Sequence, residues 1–246
     1  MAIRFHTLTL TALAAATLVA CGGGDALNSK PTYLGTISEK AYDGSTDDLL
    51  TAGLGATGLQ AAAAPAYADP LKPTVAELRR NAIHTNYRAI VDTTTAGGYN
   101  VLYGPSLDAS GKATLGEGKV AGTEYIAFSD DGTGQKNVAL MVQVPASFNR
   151  LNPCIVTATS SGSRGVYGGI STGEWGLKRG CAVAYTDKGT GGAPHDLAND
   201  TVPLLGGDRS SAASAGKNAA FNAGLSAADL VAFNAATPNR YAFKHA

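Results

Sequence analysis

A serine flanked by two glycines lies in the second half of the chain, in the run Gly169-Ile-Ser-Thr-Gly173. This spacing matches Gly-x-Ser-x-Gly, the pattern of enzymes in which a serine on a sharp strand-to-helix turn attacks an ester or amide carbonyl. However, residues 162–168 before it have the composition of a loop, and the segment after it continues through Glu174 and Trp175 without a break. We therefore expect Ser171 to lie inside a helix and to be a decoy, because short patterns match by chance in a chain rich in glycine and serine.

A glycine- and serine-rich loop, Ser160-Ser-Gly-Ser-Arg-Gly165, directly follows an apolar run with the composition of a strand. Backbone N–H groups in such a position can point at the oxyanion that develops during acyl transfer, and glycine lets the backbone approach closely. Ser161 and Gly162 are therefore candidate oxyanion-hole donors. A glycine-rich turn without chemistry is the alternative that the sequence leaves open. Arg164 could bind a substrate carboxylate, but a solvated or salt-bridged arginine fits the pattern better.

A second polar loop, Asp187-Lys-Gly-Thr-Gly191, follows the next predicted strand, at the carboxyl side where α/β sheets bind ligands. It lacks the glycine spacings of nucleotide-binding loops, so we expect Asp187 to stabilise the turn rather than to act as a catalytic acid. In enzymes with a nucleophile elbow the catalytic acid and histidine follow the serine along the chain. That order would place the catalytic acid and the catalytic histidine outside this chain. His195 and His245 therefore lack the partners of a catalytic histidine, and we interpret both as surface or helix-end residues.

A capped helix, an antiparallel hairpin and a parallel βαβ unit follow one another along the chain. The signals are the capping box of Thr74 and Glu77 and the turn Asp130-Asp-Gly-Thr-Gly134 between two apolar runs. This order predicts the α/β class, with an α/β-hydrolase-like sheet that is incomplete in this chain. In chain order the predicted elements are a helix from Thr74 to about Val91, strands 124–129, 137–144 and 154–159, a helix from about Val166 to Lys178, and strand 181–186.

Two cysteines, Cys154 and Cys181, each stand just before a predicted strand. If those strands are neighbours in a parallel sheet, equivalent positions lie ~5 Å apart, which is within reach of a disulfide. Two buried free thiols are the alternative. These cysteines and the scattered histidines are too few to hold a metal ion, so we predict neither a metal site nor a cofactor.

The N-terminus has the features of an export signal. Arg4 supplies a positive charge, residues 8–20 form an apolar stretch too short to span a bilayer, and the run Leu18-Val-Ala-Cys21 follows. That run looks like a bacterial lipobox, in which Cys21 is acylated and becomes the mature N-terminus. Ordinary secretion, with Cys21 incidental, is the alternative. We therefore predict a secreted protein or, alternatively, a periplasmic or outer-membrane lipoprotein.

The charge balance excludes two classes of partner. The 19 basic and 19 acidic residues form no basic stripe, so nucleic acid and anionic membrane surfaces are poor candidates, and membrane contact is expected only through a lipid anchor at Cys21.

The chain divides into an export signal at residues 1–21, a tether and irregular segment at 22–74, and the N-terminal part of a catalytic domain at 75–246. Residues 192–225 lack periodicity and predict a long surface loop or lid. Ser226 then caps a short helix that runs to about Asn234. The last residues, up to Ala246, begin an element that is cut off, which indicates that the chain is the front part of a longer one.

The stretch from Thr123 to Gly191 closely resembles the bacterial D-(−)-3-hydroxybutyrate oligomer hydrolases, above all in the runs 153–165 and 174–191. Residues 224–230 and 236–246 resemble the same family. The resemblance implies a secreted serine esterase that hydrolyses dimers and short oligomers of 3-hydroxybutyrate to monomers, downstream of polyhydroxybutyrate depolymerases.

Family members are much longer, and their nucleophile lies in a Ser-x-Ser-Asn-Gly-Gly-type elbow that has no match here. No catalytic residue can therefore be carried over onto this chain. We expect the nucleophile to lie beyond Ala246 and this chain alone to be inactive. Two alternative functions remain open from the sequence: a tannase- or feruloyl-esterase-like hydrolase, and an exported lipoprotein that binds oligomers without cleaving them.

Overall fold

The structure, a computed structural model, describes residues 29–90, 104–190, 194–238 and 240–242. The predicted export signal with Cys21 and the histidine His245 lie outside these ranges. Ala246 lies outside them too, so the expectation of a nucleophile beyond it stays a prediction. Among the described helices, none has the length and apolar character needed to cross a bilayer.

The main sheet has five strands in the spatial order β1-β2-β3-β5-β4. Strands β1, β2, β3 and β5 pair with their neighbours in antiparallel fashion, whereas β4 pairs with β5 in parallel. The hairpin and the parallel strand pair that the sequence predicts are both present, and β3 joins them through its pairing with β5. The strands are β1 (Ser38–Tyr42), β2 (Gly122–Ser129), β3 (Val138–Pro145), β4 (Ile155–Thr159) and β5 (Ala182–Thr186).

The predicted helices are present, with one change at the start of the βαβ crossover. Thr74 and Glu77 form the predicted capping box, in which each side chain accepts the other residue's backbone N–H, at 3.3 and 2.8 Å. Residues 166–169 form a 3₁₀ turn before the crossover helix, as is common at helix N-termini. The helices are α1 (Gly55–Gln60), α2 (Val75–Ile90), α3 (Ile170–Lys178), α4 (Ala212–Ala215) and α5 (Ala227–Ala236).

Helices α2 and α3 pack on one face of the sheet, which we call the inner face. Ile83 and Tyr87 of α2 and Leu177 of α3 are fully buried there against Met141 and Val183 of the sheet. Each such side chain contributes about 1.5–3 kcal/mol when it leaves water. The inner face therefore holds the main hydrophobic core.

The opposite face of the sheet, which we call the outer face, carries apolar side chains that the described residues leave open. The register pairs Val142 with Ala184 and Ile155 with Ala182, and alternate residues of a strand share a face. Val142 is 37% exposed and Ile155 is 71% exposed. In the described part of the chain this face therefore presents apolar side chains to water.

The prediction of an irregular tether over residues 22–74 is wrong from Ser38 onward. Strand β1 and helix α1 lie in this segment, and Leu49 and Leu50 are fully buried. The buried carboxylate of Asp48 accepts the backbone N–H groups of Leu50 and Thr51, both at 2.8 Å, so the chain can fold inward without leaving these groups unpaired. A turn of this kind has no hydrophobic periodicity, which is why the sequence pattern missed it.

The prediction of a loop or lid over residues 192–225 is also corrected. A second, small sheet has the strand order β8-β7-β6-β9, and Val202 packs with three alanines beneath it. Strands of two or three residues are too short to show an alternating pattern. The β7–β8 turn, residues 204–208, extends from this sheet. The strands are β6 (His195–Asp196), β7 (Thr201–Pro203), β8 (Arg209–Ser211) and β9 (Tyr241–Ala242).

Candidate functional site

A cleft of about 560 Å³ opens between α2, the inner face of β1–β3 and the β7–β8 turn. This volume lies within the ~300–1,000 Å³ that is usual for small-molecule sites. The loop after β4 and the start of the turn after β5 reach one side of the cleft, so it meets the carboxyl ends of the two parallel strands. Its walls are mainly apolar, and they include Val75, Leu78, Ala82, Ile126, Phe128, Val166, Leu204 and Leu205.

Polar side chains of Arg79, Glu124, Tyr42 and Tyr167 form the floor of the cleft. Together with Gln143, which is bonded to Glu124, we call them the Arg79 cluster. One carboxylate oxygen of Glu124 accepts the hydroxyls of Tyr42 and Tyr167, at 3.2 and 3.1 Å. The other accepts the Gln143 amide at 2.7 Å and the Arg79 guanidinium at 3.4 Å. The carboxylate thus has four donors, and it joins β1, β2, β3 and α2 through side chains alone.

The protonation of this cluster favours a structural role. Burial is the main cause that raises the pKa of Tyr42 and Tyr167, and the negative charge of Glu124 raises both further. Both phenols therefore stay protonated and donate to Glu124 at neutral pH. Because every member is engaged with another, the cluster offers no free base or nucleophile to a ligand.

Sequence reasoning missed the Arg79 cluster, although signals for it exist. Glu124 and Gln143 interrupt apolar strand runs at inward-facing positions, and they are direct partners across the β2–β3 ladder. Arg79 stands one helical turn before the buried Ile83 on α2, hence on the buried stripe of that helix.

The two predicted oxyanion donors differ in the structure. The Ser161 N–H donates to the Gly168 carbonyl at 3.1 Å and closes the loop after β4. Gly162 adopts φ +61°, and its N–H donates to no other described residue. Its carbonyl accepts the Thr190 hydroxyl at 3.4 Å, which ties the two loops at the carboxyl ends of β4 and β5 together. Because the Ser161 amide is occupied, Gly162 is the candidate donor of the pair.

Asp187 stabilises the turn after β5, as the sequence predicts. Its buried carboxylate accepts the Ala139 N–H at 3.0 Å and the Gly189 N–H at 2.7 Å. The side chain thus ties the end of β5 to β3 and shapes one wall of the cleft.

Two charged side chains line the cleft without a hydrogen bond or ion pair to any described residue: the Arg164 guanidinium and the Asp208 carboxylate. The other charged residues of the lining are paired within the protein, for example Lys40, which lies 3.8 Å from Asp47. Arg164 is exposed, in agreement with the solvated arginine that the sequence favoured. Of the cleft's cations Lys40, Arg79 and Arg164, Arg164 is the one whose side chain has no hydrogen bond or ion pair to a described residue.

Ser171 is the second residue of α3, as predicted, and does not lie on an elbow. The glycines around it have a packing role instead. A Cβ added to Gly169 would lie 2.6 Å from the Ala158 carbonyl oxygen, and one added to Gly173 would collide with the Tyr185 hydroxyl. The motif therefore lets the crossover helix approach β4 and β5 closely.

His195 is buried in β6, so its interpretation as a surface residue is wrong. Its Nδ1 accepts the Ala223 N–H at 3.2 Å, and its Nε2 lies 3.0 Å from an Asp200 carboxylate oxygen. This pattern assigns the proton of the neutral ring to Nε2, which donates to Asp200. Both ring nitrogens are engaged inside the protein, so neither is free to act as a general base for Ser171.

Cys154 and Cys181 form a disulfide with a Cα–Cα distance of 4.8 Å. They immediately precede the paired residues Ile155 and Ala182 at the start of β4 and β5. Within the described residues, no group of three or more histidine, cysteine, aspartate or glutamate side chains has the arrangement of a metal site.

Comparison with known proteins gives one consistent family. The family model described as 3HB-oligomer hydrolase (3HBOH) matches residues 16–246. No solved structure matches the chain.

Several proteins named D-(-)-3-hydroxybutyrate oligomer hydrolase are similar to nearly the whole chain. The Polaromonas naphthalenivorans protein is 66% identical over 98% of this chain and 35% of its own length. The Cupriavidus necator protein is 66% identical over 92% of this chain and 31% of its own length. The Paracidovorax citrulli protein is 64% identical over 97% of this chain and 34% of its own length. The chain thus spans about a third of the length of these curated relatives.

Proposed function

The chain belongs to the 3HB-oligomer hydrolase family, and we propose that it contributes the substrate cleft of an enzyme that hydrolyses the ester bonds of 3-hydroxybutyrate oligomers. The observation that carries this proposal is the 66% identity over 98% of the chain to a relative named for that activity. The cleft supports it, because apolar walls suit the methyl and methylene groups of the oligomer. The glycine-rich loop after β4 is adjacent to these walls, and its backbone N–H groups suit the ester carbonyl oxygen as hydrogen-bond donors.

The proposed chemistry is acyl transfer through a serine. The serine hydroxyl gives up its proton as its oxygen attacks the ester carbonyl carbon, the bond to the leaving alkoxide breaks, and that alkoxide takes up the proton and leaves as the free alcohol. Water then adds to the acyl-enzyme and releases the second product as an acid. We propose that the Gly162 N–H, which donates to no other described residue, stabilises the negative charge that develops on the carbonyl oxygen.

We propose that the nucleophile belongs to the part of the longer relatives that this chain does not span, beyond the position of Ala246. The position of Ser171 inside α3 supports this, as does the packing role of Gly169 and Gly173. A nucleophile elbow requires a serine directly after a strand, and Ser171 follows a 3₁₀ turn instead.

The α/β-hydrolase-like fold remains part of the proposal. The β2–β3 hairpin followed by the parallel pair β4–β5 supports it, because such a sheet begins in this way. The exposed Val142 and Ile155 of the outer face support it too, because the sheet of a doubly wound α/β fold carries helices on both faces. We propose that the additional residues of the longer relatives cover the outer face and extend the sheet beside β4.

We also propose that the protein is exported and acts on oligomers released during polyhydroxybutyrate degradation. The apolar N-terminal stretch that ends at Cys21 supports export. Expression with and without Cys21→Ala, followed by fractionation, tests the lipid anchor. We expect the parent chain in the membrane fraction and the variant in the soluble exported fraction. Export of both in soluble form would leave ordinary secretion as the explanation.

Titration of the acid released from 3-hydroxybutyrate dimer tests the proposed activity. We expect the full-length Polaromonas naphthalenivorans relative to hydrolyse the dimer and the present chain to release no acid. Hydrolysis by the present chain that Ser171→Ala abolishes would overturn the assignment of the nucleophile.

The same assay separates the alternative functions. Faster cleavage of an aromatic ester than of the dimer by the full-length relative would favour a tannase- or feruloyl-esterase-like enzyme. Saturable binding of the dimer without hydrolysis by that protein would favour a binding function.

A further inference from the structure

We propose that Arg164 binds the free carboxylate of the oligomer and so fixes the direction in which the oligomer lies in the cleft; this inference rests on the proposed function. A 3-hydroxybutyrate oligomer has two different ends, a hydroxyl and a carboxylate. A mainly apolar cleft must provide a cation for that carboxylate or leave it in water, because burying an unpaired charge is costly.

The electrostatics of the cleft single out Arg164 for this role. Arg79 already donates to Asp47 at 3.0 Å and to Glu124 at 3.4 Å, so its charge is compensated inside the protein. Lys40 lies 3.8 Å from the same Asp47 and over the Tyr42 ring, so its charge has a protein partner too. The Arg164 guanidinium has no partner among the described residues. A guanidinium can hold a carboxylate through two parallel hydrogen bonds, which fixes its orientation as well as its position.

The contacts of α2 place Arg164 toward one end of the cleft. The Arg164 carbonyl accepts the side-chain amide of Asn86 at 3.4 Å, and the same amide donates to the Ala82 carbonyl at 2.9 Å. Ala82 is also the last residue of α2 in the cleft wall. Arg164 therefore stands at the Ala82 end.

The β7–β8 turn, with Asp208, stands at the other end. A Cβ added to Gly206 would lie 2.9 Å from Val75 Cγ1, which shows how closely this turn approaches the start of α2. From Val75 to Ala82 the helix wall is about 10 Å long at 1.5 Å per residue. A carboxylate is thus attracted at the Arg164 end and repelled by Asp208 at the opposite end.

The dimer matches this arrangement in length. Its hydroxyl oxygen and carboxylate carbon are separated by seven bonds, or roughly 9 Å when extended. Four bonds separate the carboxylate carbon from the ester carbonyl carbon. A carboxylate held by Arg164 therefore keeps that carbonyl beside the loop that carries Gly162, only two residues earlier in the chain. Arg164, which binds the carboxylate, and Gly162, which stabilises the oxyanion, thus lie in the same loop.

Calorimetric binding of two ligands to the 246-residue chain tests the proposal: the 3-hydroxybutyrate dimer and its methyl ester, which lacks the carboxylate. We expect Arg164→Gln to weaken binding of the dimer about tenfold or more and to leave binding of the methyl ester unchanged. Arg164→Lys, which keeps the charge but not the planar pair of donors, should fall between the parent chain and Arg164→Gln. Arg150→Gln, at an exposed arginine outside the cleft, is the matched control and should change neither affinity.

Three outcomes would overturn the role of Arg164: no saturable binding of the dimer to the parent chain, equal affinity of the parent chain and Arg164→Gln, or equal weakening of both ligands. The side chain is exposed and unpaired among the described residues, so Arg164→Gln should fold like the parent chain, which circular dichroism checks. Failure of the proposed function is seen separately, as an absence of dimer hydrolysis by the full-length relative.

Discussion

At the scale of single residues, Glu124 is the side chain on which the Arg79 cluster depends. A carboxylate buried in a protein is costly unless hydrogen bonds and an opposite charge replace the water it loses. Glu124 obtains four donors from residues that are 19 to 82 positions away in the chain. Its pairing therefore depends on the finished tertiary structure, and its loss affects several elements at once.

Glu124→Ala should lower the free energy of unfolding by about 3–5 kcal/mol, because it leaves two tyrosine hydroxyls without their acceptor and removes the more deeply buried of the two carboxylates paired with Arg79. Glu39→Ala is the matched control: Glu39 is exposed on β1, and its contact to the Tyr125 hydroxyl is 3.5 Å long. The control should change stability by no more than about 0.5 kcal/mol. Urea unfolding followed by circular dichroism measures both, and equal effects of the two variants would contradict the role given to the cluster.

Whether a contact between two side chains can be predicted from the sequence depends on how far apart the two residues lie along the chain. The bonds between Thr74 and Glu77 and between Asp187 and Gly189 join near neighbours, and the sequence indicates both. The bond between Arg79 and Glu124 spans 45 positions, and no local pattern specifies it. The candidate site shows the same limit: the loop with Gly162 is recognisable from its composition, but the cleft that it borders is not.

At the scale of elements, the disulfide joins the starts of the two parallel strands. Reduction or the double substitution Cys154→Ser and Cys181→Ser should lower the free energy of unfolding by about 3–4 kcal/mol, because the bond constrains a loop with a sequence separation of 27 in the unfolded chain. Urea unfolding with and without dithiothreitol measures the effect. The double variant, which has nothing to reduce there, should be insensitive to the reductant, and an equal response of both proteins would contradict the assignment.

The start of α2 should make stability depend on pH. The backbone N–H of Ala68, followed by that of Thr74, lowers the pKa of Glu77 below its usual value of 4.5. A carboxyl group with a lowered folded pKa contributes stability above its unfolded pKa, and this contribution is lost as the pH falls through the folded pKa. The parent chain should therefore be more stable than Glu77→Gln at pH 7, with the difference shrinking below about pH 4. Urea unfolding at several pH values measures this, and a constant difference down to about pH 3 would be inconsistent with it.

Element length decides how much of the fold the sequence indicates. The β2–β3 hairpin and α2 are long enough to show periods of two and 3.6 residues, and both are predicted close to their observed bounds. Strands β6 to β9 have two or three residues each, which is less than a pattern needs. Strand β1 has five residues but is mostly exposed, so its apolar positions do not alternate.

At the scale of the whole molecule, the two faces of the main sheet differ. The inner face is covered by α2 and α3 and holds the main core, whereas the outer face keeps apolar residues in contact with water. The relatives are about three times as long as this chain, so they have ample additional residues to cover that face. An open apolar face of a sheet promotes self-association when nothing covers it.

The double substitution Val142→Lys and Ile155→Lys should therefore lower the binding of an apolar fluorescent dye to this chain by roughly half, because it replaces two apolar side chains that the outer face exposes to water. Both residues are exposed, so the free energy of unfolding should change by no more than about 0.5 kcal/mol. Leu151→Lys is the control: Leu151 is 97% exposed but lies on a loop outside the outer face, and it should have little effect on dye binding. In the full-length relative, lysines at the two aligned positions should instead destabilise the protein by about 1–3 kcal/mol or more, since in the proposed arrangement the additional chain buries them. Equal and small effects in the short and long proteins would mean that the outer face stays open in both.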